Sequence, residues 1–342
     1  RHWSKMKASD LLELDAHMTP EGVNDVVDPT AWAIHGALHR LVPHARCIMH
    51  VHSKYVTALA CLKSPLMPPI DQNTMRFFNR VAVDNPHAWI RKPMSAADIR
   101  TPSPSNRPVS YPYTKLMNSN NAVDMGAALI MCSTAKAKTL GIPESKWVYP
   151  HAGVEGNDHF SASVRYNFHS SPAIRLVGQR LFELTGMEPG NLDYIDLYSC
   201  FPAAVQIAAQ ELGIPETSPL SVTGGLTFGG GPLNNYVMHS IARTVNLLRQ
   251  EPDKTALVTA NGGNLYKQAM AIYSGLPPVN AFKRDNVQKQ LDALPGRQCL
   301  PEYRGRVTVE SYTVMFDQEQ PAVAHLSCIN ESNQRVWVNC HD

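Results

Sequence analysis

From Ala127 to Gly263 the chain alternates short strand-like runs with helical ones, and this order restricts its fold more than any other feature. Ala127 to Cys132 reads as a strand, Ser170 to Thr185 as a helix, and Leu192 to Tyr198 as a strand ending in Ser199 and Cys200. Pro202 to Leu212 then spaces Val205, Ala208, Ala209 and Leu212 by three and four residues, which is the apolar stripe of a helix. Asn234 to Arg249 repeats the stripe through Val237, Ile241, Val245 and Leu248, and Thr255 to Ala260 is a strand running into Asn261, Gly262 and Gly263. Strands separated by helices of this length predict an α/β fold with a mixed, mainly parallel sheet and helices on both faces.

The flanks differ. Residues 281–300 are polar and read as a linker. Beyond them Arg306 to Asp317, Ala322 to Cys328 and Arg335 to Asn339 are strand-like with no helix between, which predicts a small antiparallel β domain over 301–342. Pro86 to Tyr113 is rich in proline, lacks periodicity and marks a boundary. Ahead of it, 28–42 reads as a helix with Trp32, Ile34, Leu38 and Leu41 on its apolar face, and Ala45 to Val51 as a strand. The expected domains are therefore 1–85, 86–280 and 301–342, joined by the 281–300 linker. The opening at Arg1, already in helix-like and strand-like text, and the switch near Asn85-Pro86 suggest a truncated or spliced reading frame.

Composition excludes several roles. With 31 basic against 29 acidic residues, a net charge of +2 and no dense Lys/Arg run, the chain offers no footprint for nucleic acid. It has no apolar run of about eighteen residues and no signal-peptide pattern, so neither a membrane nor secretion is expected, and a cytoplasmic location is. Seven scattered cysteines without a Cys-x-x-Cys pair read as reduced thiols rather than a zinc-thiolate site.

Two motifs could carry chemistry. His50-Val51-His52 sits on the 45–51 strand, where residues two apart share a face, so the two imidazoles could converge on one metal ion or form only a half-site. Gly224-Gly225-Leu226-Thr227-Phe228-Gly229-Gly230-Gly231-Pro232-Leu233-Asn234-Asn235 runs into a helix. Such a loop lets backbone N–H groups approach an anion or a developing oxyanion, and it could equally be a tight turn. It fits neither the P-loop nor the dinucleotide fingerprint.

The segment from Trp3 to Asp84, with DPTAWAIHGALHRLVPHARCIMHVHSKYVTALACLK and PPIDQNTMRFFNRVAVD, resembles the class II aldolase and adducin N-terminal family. The resemblance puts that family's adjacent zinc histidines on His50 and His52, and its acid/base glutamate at or near Ala31. A much longer stretch is similar to the acetyl-CoA acetyltransferase family, close to its sterol-carrier-type and thiolase-like branches. Its carriers are YPYTKLMNSNNAVDMGAALIMCSTAKAKTLGIP, GNLDYIDLYSCFPAAVQIAAQELGI, SVTGGLTFGGGPLNNYVMHSIARTV and ALVTANGGNLYKQAMAIYS. EYRGRVTVESYTVMFD resembles the OB-like C-terminal domain that the thiolase-like branch adds.

This second resemblance implies the C-terminal half of a thiolase fold, an acyl-CoA thioester as substrate, and C–C bond formation or cleavage by acyl transfer. It places the Gly-His-Pro loop on Gly230-Gly231-Pro232, the Cys-x-Gly loop on Asn261-Gly262-Gly263, and the His-Asp-Cys-Phe loop on Tyr198-Ser199-Cys200-Phe201. Glycine and asparagine thus stand where the base and the second thiol would be, and the nucleophile-bearing first half has no counterpart, so impaired catalysis is expected. Gly231 and Gly263 would offer backbone N–H groups, and Gly229, Gly230, Asn235 and Gly262 would bind the coenzyme A thioester. Tyr198, Asn234, Asn261 and His239 would hydrogen-bond the thioester, His239 being more simply read as a solvent-facing or core-satisfied residue. Cys200 reads as a buried packing thiol. Three readings stay open: an acyltransferase, a non-catalytic acyl-CoA or partner-binding module, and a zinc-dependent aldolase-like lyase. A half-fold implies a homodimer or a partner supplying the N-terminal thiolase half.

Overall fold

The computed structural model describes residues 85–92 and 94–341. The aldolase-like stretch with His50 and His52, and the elements expected around it, lie outside these residues. In chain order the elements are α1 (Ala96–Arg100), β1 (Pro108–Ser110), β2 (Tyr113–Thr114), α2 (Thr134–Thr139), β3 (Tyr149–Asn157), α3 (Pro172–Thr185), β4 (Tyr194–Asp196), α4 (Pro202–Leu212), α5 (Gly225–Phe228), α6 (Tyr236–Gln250), β5 (Thr255–Gly262), β6 (Lys267–Ser274), β7 (Lys283–Asn286), α7 (Gln288–Asp292), β8 (Cys299–Leu300), β9 (Val307–Asp317), β10 (Gln320–Asn330) and β11 (Arg335–His341).

The first sheet has the order β4-β5-β6-β3-β7. It is parallel only at its two ends, β4 with β5 and β3 with β7; β5 with β6 and β6 with β3 are antiparallel. The fold is mixed α/β as expected. The antiparallel centre arises because β5 returns directly into β6 through a short turn, with no helix between them. Helix α3 starts where Ser171 Oγ accepts the Ile174 N–H at 3.3 Å and Pro172 fills the first turn, and it stops at left-handed Gly186. Its buried face, Ala173, Ile174, Val177 and Leu181, meets Val205, Ala208, Ala209 and Leu212 of α4 and the sheet face carrying Val154, Leu257, Met270 and Ile272. Helix α6 packs against β5.

Two stretches depart from expectation. Residues 283–292, read as linker, form β7 and α7, and Val287 and Leu291 plug the same core. Four-residue spacing of two apolar side chains was the only sequence signal, too sparse to outweigh the polar remainder. Residues 127–132, read as a strand, have no regular secondary structure, and Ile130 and Met131 are 90% and 82% exposed. An apolar β-prone run becomes a strand only when another strand pairs with it. A Ile130→Asp, Met131→Lys double variant should therefore keep its stability within about 0.5 kcal/mol. Thermal unfolding checks this, and a loss of several degrees would mean that the pair is covered.

The second sheet has the order β2-β1-β9-β10-β11-β8. Strands β9, β10 and β11 form the antiparallel meander expected of the tail. It also recruits β1 and β2 from the proline-rich stretch: Ser110 opposes Met315, and the Tyr111 and Tyr312 rings stack at 5.9 Å. The two sheets thus meet along loops that also bound the candidate site.

Candidate functional site

The site is organised from beneath by Asp196 at the end of β4, a residue 1% exposed. Its Oδ2 accepts the Val222 N–H at 2.9 Å, the Thr223 N–H at 3.3 Å, and the Ser221 and Thr223 hydroxyls at 3.0 and 3.2 Å. Its Oδ1 accepts the Tyr236 hydroxyl at 2.8 Å. Burial raises the carboxyl pKa, and the Tyr236 and Val222 donors oppose that rise. One carboxyl group thereby fixes the entry of the glycine-rich loop and the first turn of α6. Ser221 Oγ adds acceptance from the Gly224 and Gly225 N–H groups at 3.0 and 2.9 Å.

The loop after β4 rises from this base. The Tyr198 N–H donates to Thr259 Oγ1 at 2.8 Å, and its ring meets that of Tyr236 edge-on at 5.4 Å. Two residues on, burial pushes the Cys200 thiol up to about 11, so it stays protonated at neutral pH. Asn261 directs its Nδ2 at Cys200 Sγ at 4.0 Å. Gln268 on β6 donates to Asn261 Oδ1 at 3.1 Å and to the Leu265 carbonyl at 3.0 Å, which fixes which way the Asn261 amide faces. Tyr113 accepts the Ala203 N–H at 3.3 Å and lies 6.3 Å from the Phe201 ring. Burial and the neighbouring Cys200 raise the pKa of both Tyr113 and Tyr198, so both are neutral phenols.

The glycine-rich loop is a packing device. Its Gly229 N–H donates to the Gly225 carbonyl at 2.7 Å, its Leu226 N–H to Ser199 Oγ at 3.2 Å, and its Gly231 N–H to the Asn120 carbonyl at 2.9 Å. Gly231 therefore does not present its N–H to a thioester, which corrects the cradle expected there. A Cβ at Gly231 would stand 2.2 Å from Ser119 Oγ. Ser119 occupies that space because its N–H donates to the Cys200 carbonyl at 2.9 Å and its hydroxyl to Asn121 Oδ1 at 2.9 Å. Gly231→His should accordingly gain no thiolase activity and should lose roughly 1–3 kcal/mol through overpacking. Acetoacetyl-CoA cleavage and urea unfolding test both halves, and a folded variant that cleaves the substrate would refute the first.

The remaining sequence candidates separate. Asn234 is exposed, Asn235 Nδ2 donates to the Met125 carbonyl at 3.2 Å, and Gly230 packs against Met125. Gly262 closes the β5–β6 ladder opposite Lys267, and Gly263 lies against the Tyr266 ring. His239 is 6% exposed on α6, with its Nε2 3.2 Å from Asn85 Nδ2. So Tyr198, Cys200 and Asn261 form one cluster, joined to Gly231 through Ser119. Sequence reading missed Asp196, Ser119 and Gln268. Their only trace was position: a carboxylate at a strand end, and small or polar residues facing two loops across the fold. Among the described residues no group of three His, Cys, Asp or Glu side chains could hold a metal, and no helix is long and apolar enough to cross a membrane.

A strand-end loop carrying Tyr198 to Phe201, a glycine-rich turn into α6 and an Asn-Gly-Gly turn after β5 are set around one mixed sheet, and this arrangement is a thiolase-like fold. The crystal structure of a monomeric SCP2-thiolase like protein type 1 from Mycobacterium smegmatis has this fold at a TM-score of 0.69 with 33% sequence identity, over 75% of this chain and 57% of that one. An acetyl-CoA acetyltransferase of Methanocaldococcus jannaschii is 27% identical over 109 residues, 32% of this chain and 27% of that protein. A steroid side-chain-cleaving aldolase of Thermomonospora curvata is 29% identical over 219 residues, 56% of this chain and 55% of that protein. Residues 1–97 match the Class II Aldolase and Adducin N-terminal domain family. The chain spans about a quarter and about half of the length of the two curated relatives.

Proposed function

We propose that the chain is an acyl-CoA protein of the thiolase superfamily that holds a thioester beside Tyr198, Cys200 and Asn261 and has no thiolase-type acyl-enzyme step. The observation that carries this is the pairing of Cys200 with Asn261: a thiol held protonated by burial, faced by an amide that cannot take its proton. Gly231 supplies no base from the other side, because Ser119 fills the space. What the cluster offers a thioester is hydrogen bonding by the Tyr198 phenol and the Asn261 amide. The expected result is micromolar binding of acetyl-CoA by calorimetry, with no cleavage of acetoacetyl-CoA by the purified chain. Robust cleavage, abolished by Asn261→Ala, would overturn the reading in favour of an acetyl-CoA acyltransferase.

A second reading has its own support. Two neutral phenols, Tyr113 and Tyr198, flank Cys200, and the relative matched over 56% of this chain is named as a steroid side-chain-cleaving aldolase. In cleavage of a β-hydroxy thioester the Cα–Cβ bond breaks as the hydroxyl carbon becomes a carbonyl, its electron pair passes into the thioester enolate, one phenol protonates that enolate at carbon, and the proton released from the hydroxyl restores the phenol. A β-hydroxyacyl-CoA that releases a carbonyl product with the native chain and not with Tyr198→Phe would select this reading. A zinc-dependent aldolase function of the N-terminal stretch rests on His50, His52 and the matched domain family; metal content of the purified chain tests it. Cover for Ile130 and Met131 by a second copy, or by a chain supplying an N-terminal thiolase half, is tested by chromatographic size; the M. smegmatis relative is described as monomeric.

A further inference from the structure

A concavity of about 450 Å³ lies where the two sheets meet. Its wall takes Phe168 from the loop before α3, Phe201 from just ahead of α4 and Ile207 from its middle, Leu265 from the β5–β6 turn, Tyr312 from β9 and Trp337 from β11. That volume suits a small organic group. Polar side chains also line it, and several of them are committed to the protein. Ser170 donates to Asn167 Oδ1 at 2.8 Å, Ser327 to Glu310 Oε2 at 2.9 Å, and Arg165 to the His159 and Asn264 carbonyls. His325 Nδ1 lies 2.8 Å from Asn339 Oδ1. What remains for a ligand is mainly the faces of rings and branched chains.

Two features link this cavity to the thioester cluster. Phe201 follows Cys200 directly in the chain, and the Leu265 carbonyl accepts the Gln268 amide that also holds Asn261. Moreover, Tyr312 and Trp337 remain 55% and 44% exposed while bordering a concave surface, where an apolar ligand would remove them from water.

We propose that this cavity receives the apolar acyl group of the thioester, so that the second sheet, through Tyr312 and Trp337, selects bulky or medium-to-long acyl chains over acetyl. This rests on the thioester-binding reading above, and the test keeps the two apart. Full-length chain is titrated with acetyl-CoA, decanoyl-CoA and decanoic acid, following calorimetric heat and the fluorescence lost in Trp337→Phe. Decanoyl-CoA should bind at least about tenfold more tightly than acetyl-CoA. Ser311→Phe, a filling change at the exposed rim on β9, should erase that preference and leave acetyl-CoA binding unchanged. A preference absent in the native chain, or retained in Ser311→Phe, overturns the proposal while leaving thioester binding intact. Where no CoA thioester binds at all, the thioester reading fails on its own. The cavity is then supported by a Trp337 response to decanoic acid that Ser311→Phe removes, and refuted when that response is missing.

Discussion

Glu310→Gln will cost about 3–5 kcal/mol of folding stability although the two side chains are nearly isosteric, because it leaves the Arg335 charge buried without its partner. Arg335 on β11 is 0% exposed. Its Nε and Nη2 donate to both Glu310 oxygens at 2.8–3.0 Å. Its Nη1 donates to the Ala162, Ser163 and Arg165 carbonyls, and the guanidinium lies 4.3 Å from the centre of the Phe168 ring. The planar fork thus ties β9, β11 and the 162–168 loop together, and a lysine could satisfy only part of that geometry. Arg335→Lys should therefore also lose several kcal/mol, whereas Glu310→Leu with Arg335→Met should lose less than either single change. Urea unfolding midpoints give the comparison. A Glu310→Gln midpoint equal to that of the native chain would show that the pair contributes specificity without stability.

That clamp also illustrates what the sequence could tell. Helices α3 and α4 were legible because each carries its own punctuation: Ser171-Pro172 before α3, Pro202 opening α4, and Gly186 and Gly213 after them, around an apolar stripe. The three tail strands were legible from the same local logic. Nothing local, however, couples Arg335 to carbonyls some 170 positions earlier in the chain. Nor could Gly231 announce that its missing side chain makes room for Ser119. The family resemblance pointed to the loops, and it carried an expectation about Gly231 that the path of the 118–121 segment overrides. Cys200, read from the sequence as a buried packing thiol, is only half-buried, and the burial it has is enough to keep the thiol protonated. Residue pairs decided by long-range burial, Asp196 with the glycine-rich loop and Gln268 with Asn261, stay hidden until the chain is folded.

Acidification from pH 6.5 towards 4 will remove about 3 kcal/mol of stability through His239 alone. Burial, then the positive fields of His87 and Arg243, lower its pKa from 6.5 to about 4. Asn85 Nδ2 donates to the Thr223 carbonyl at 2.9 Å and faces His239 Nε2 at 3.2 Å, so Nε2 serves as an acceptor and the ring is neutral. Protonation at Nε2 would set N–H against N–H in a buried space. Below pH 6.5 the unfolded chain takes up a proton that the folded chain refuses until about 4, so proton uptake favours unfolding across that window. Above 6.5 neither state is charged at this residue, and below about 4 both are, so the slope belongs between. Carboxylates titrate near the lower end as well, and comparison with a variant isolates the imidazole. His239→Gln keeps an acceptor for Asn85 and has nothing to titrate, so its stability should fall less steeply by that same amount. Urea unfolding of both proteins across the window is the measurement, and parallel curves would show that His239 is protonated within the fold.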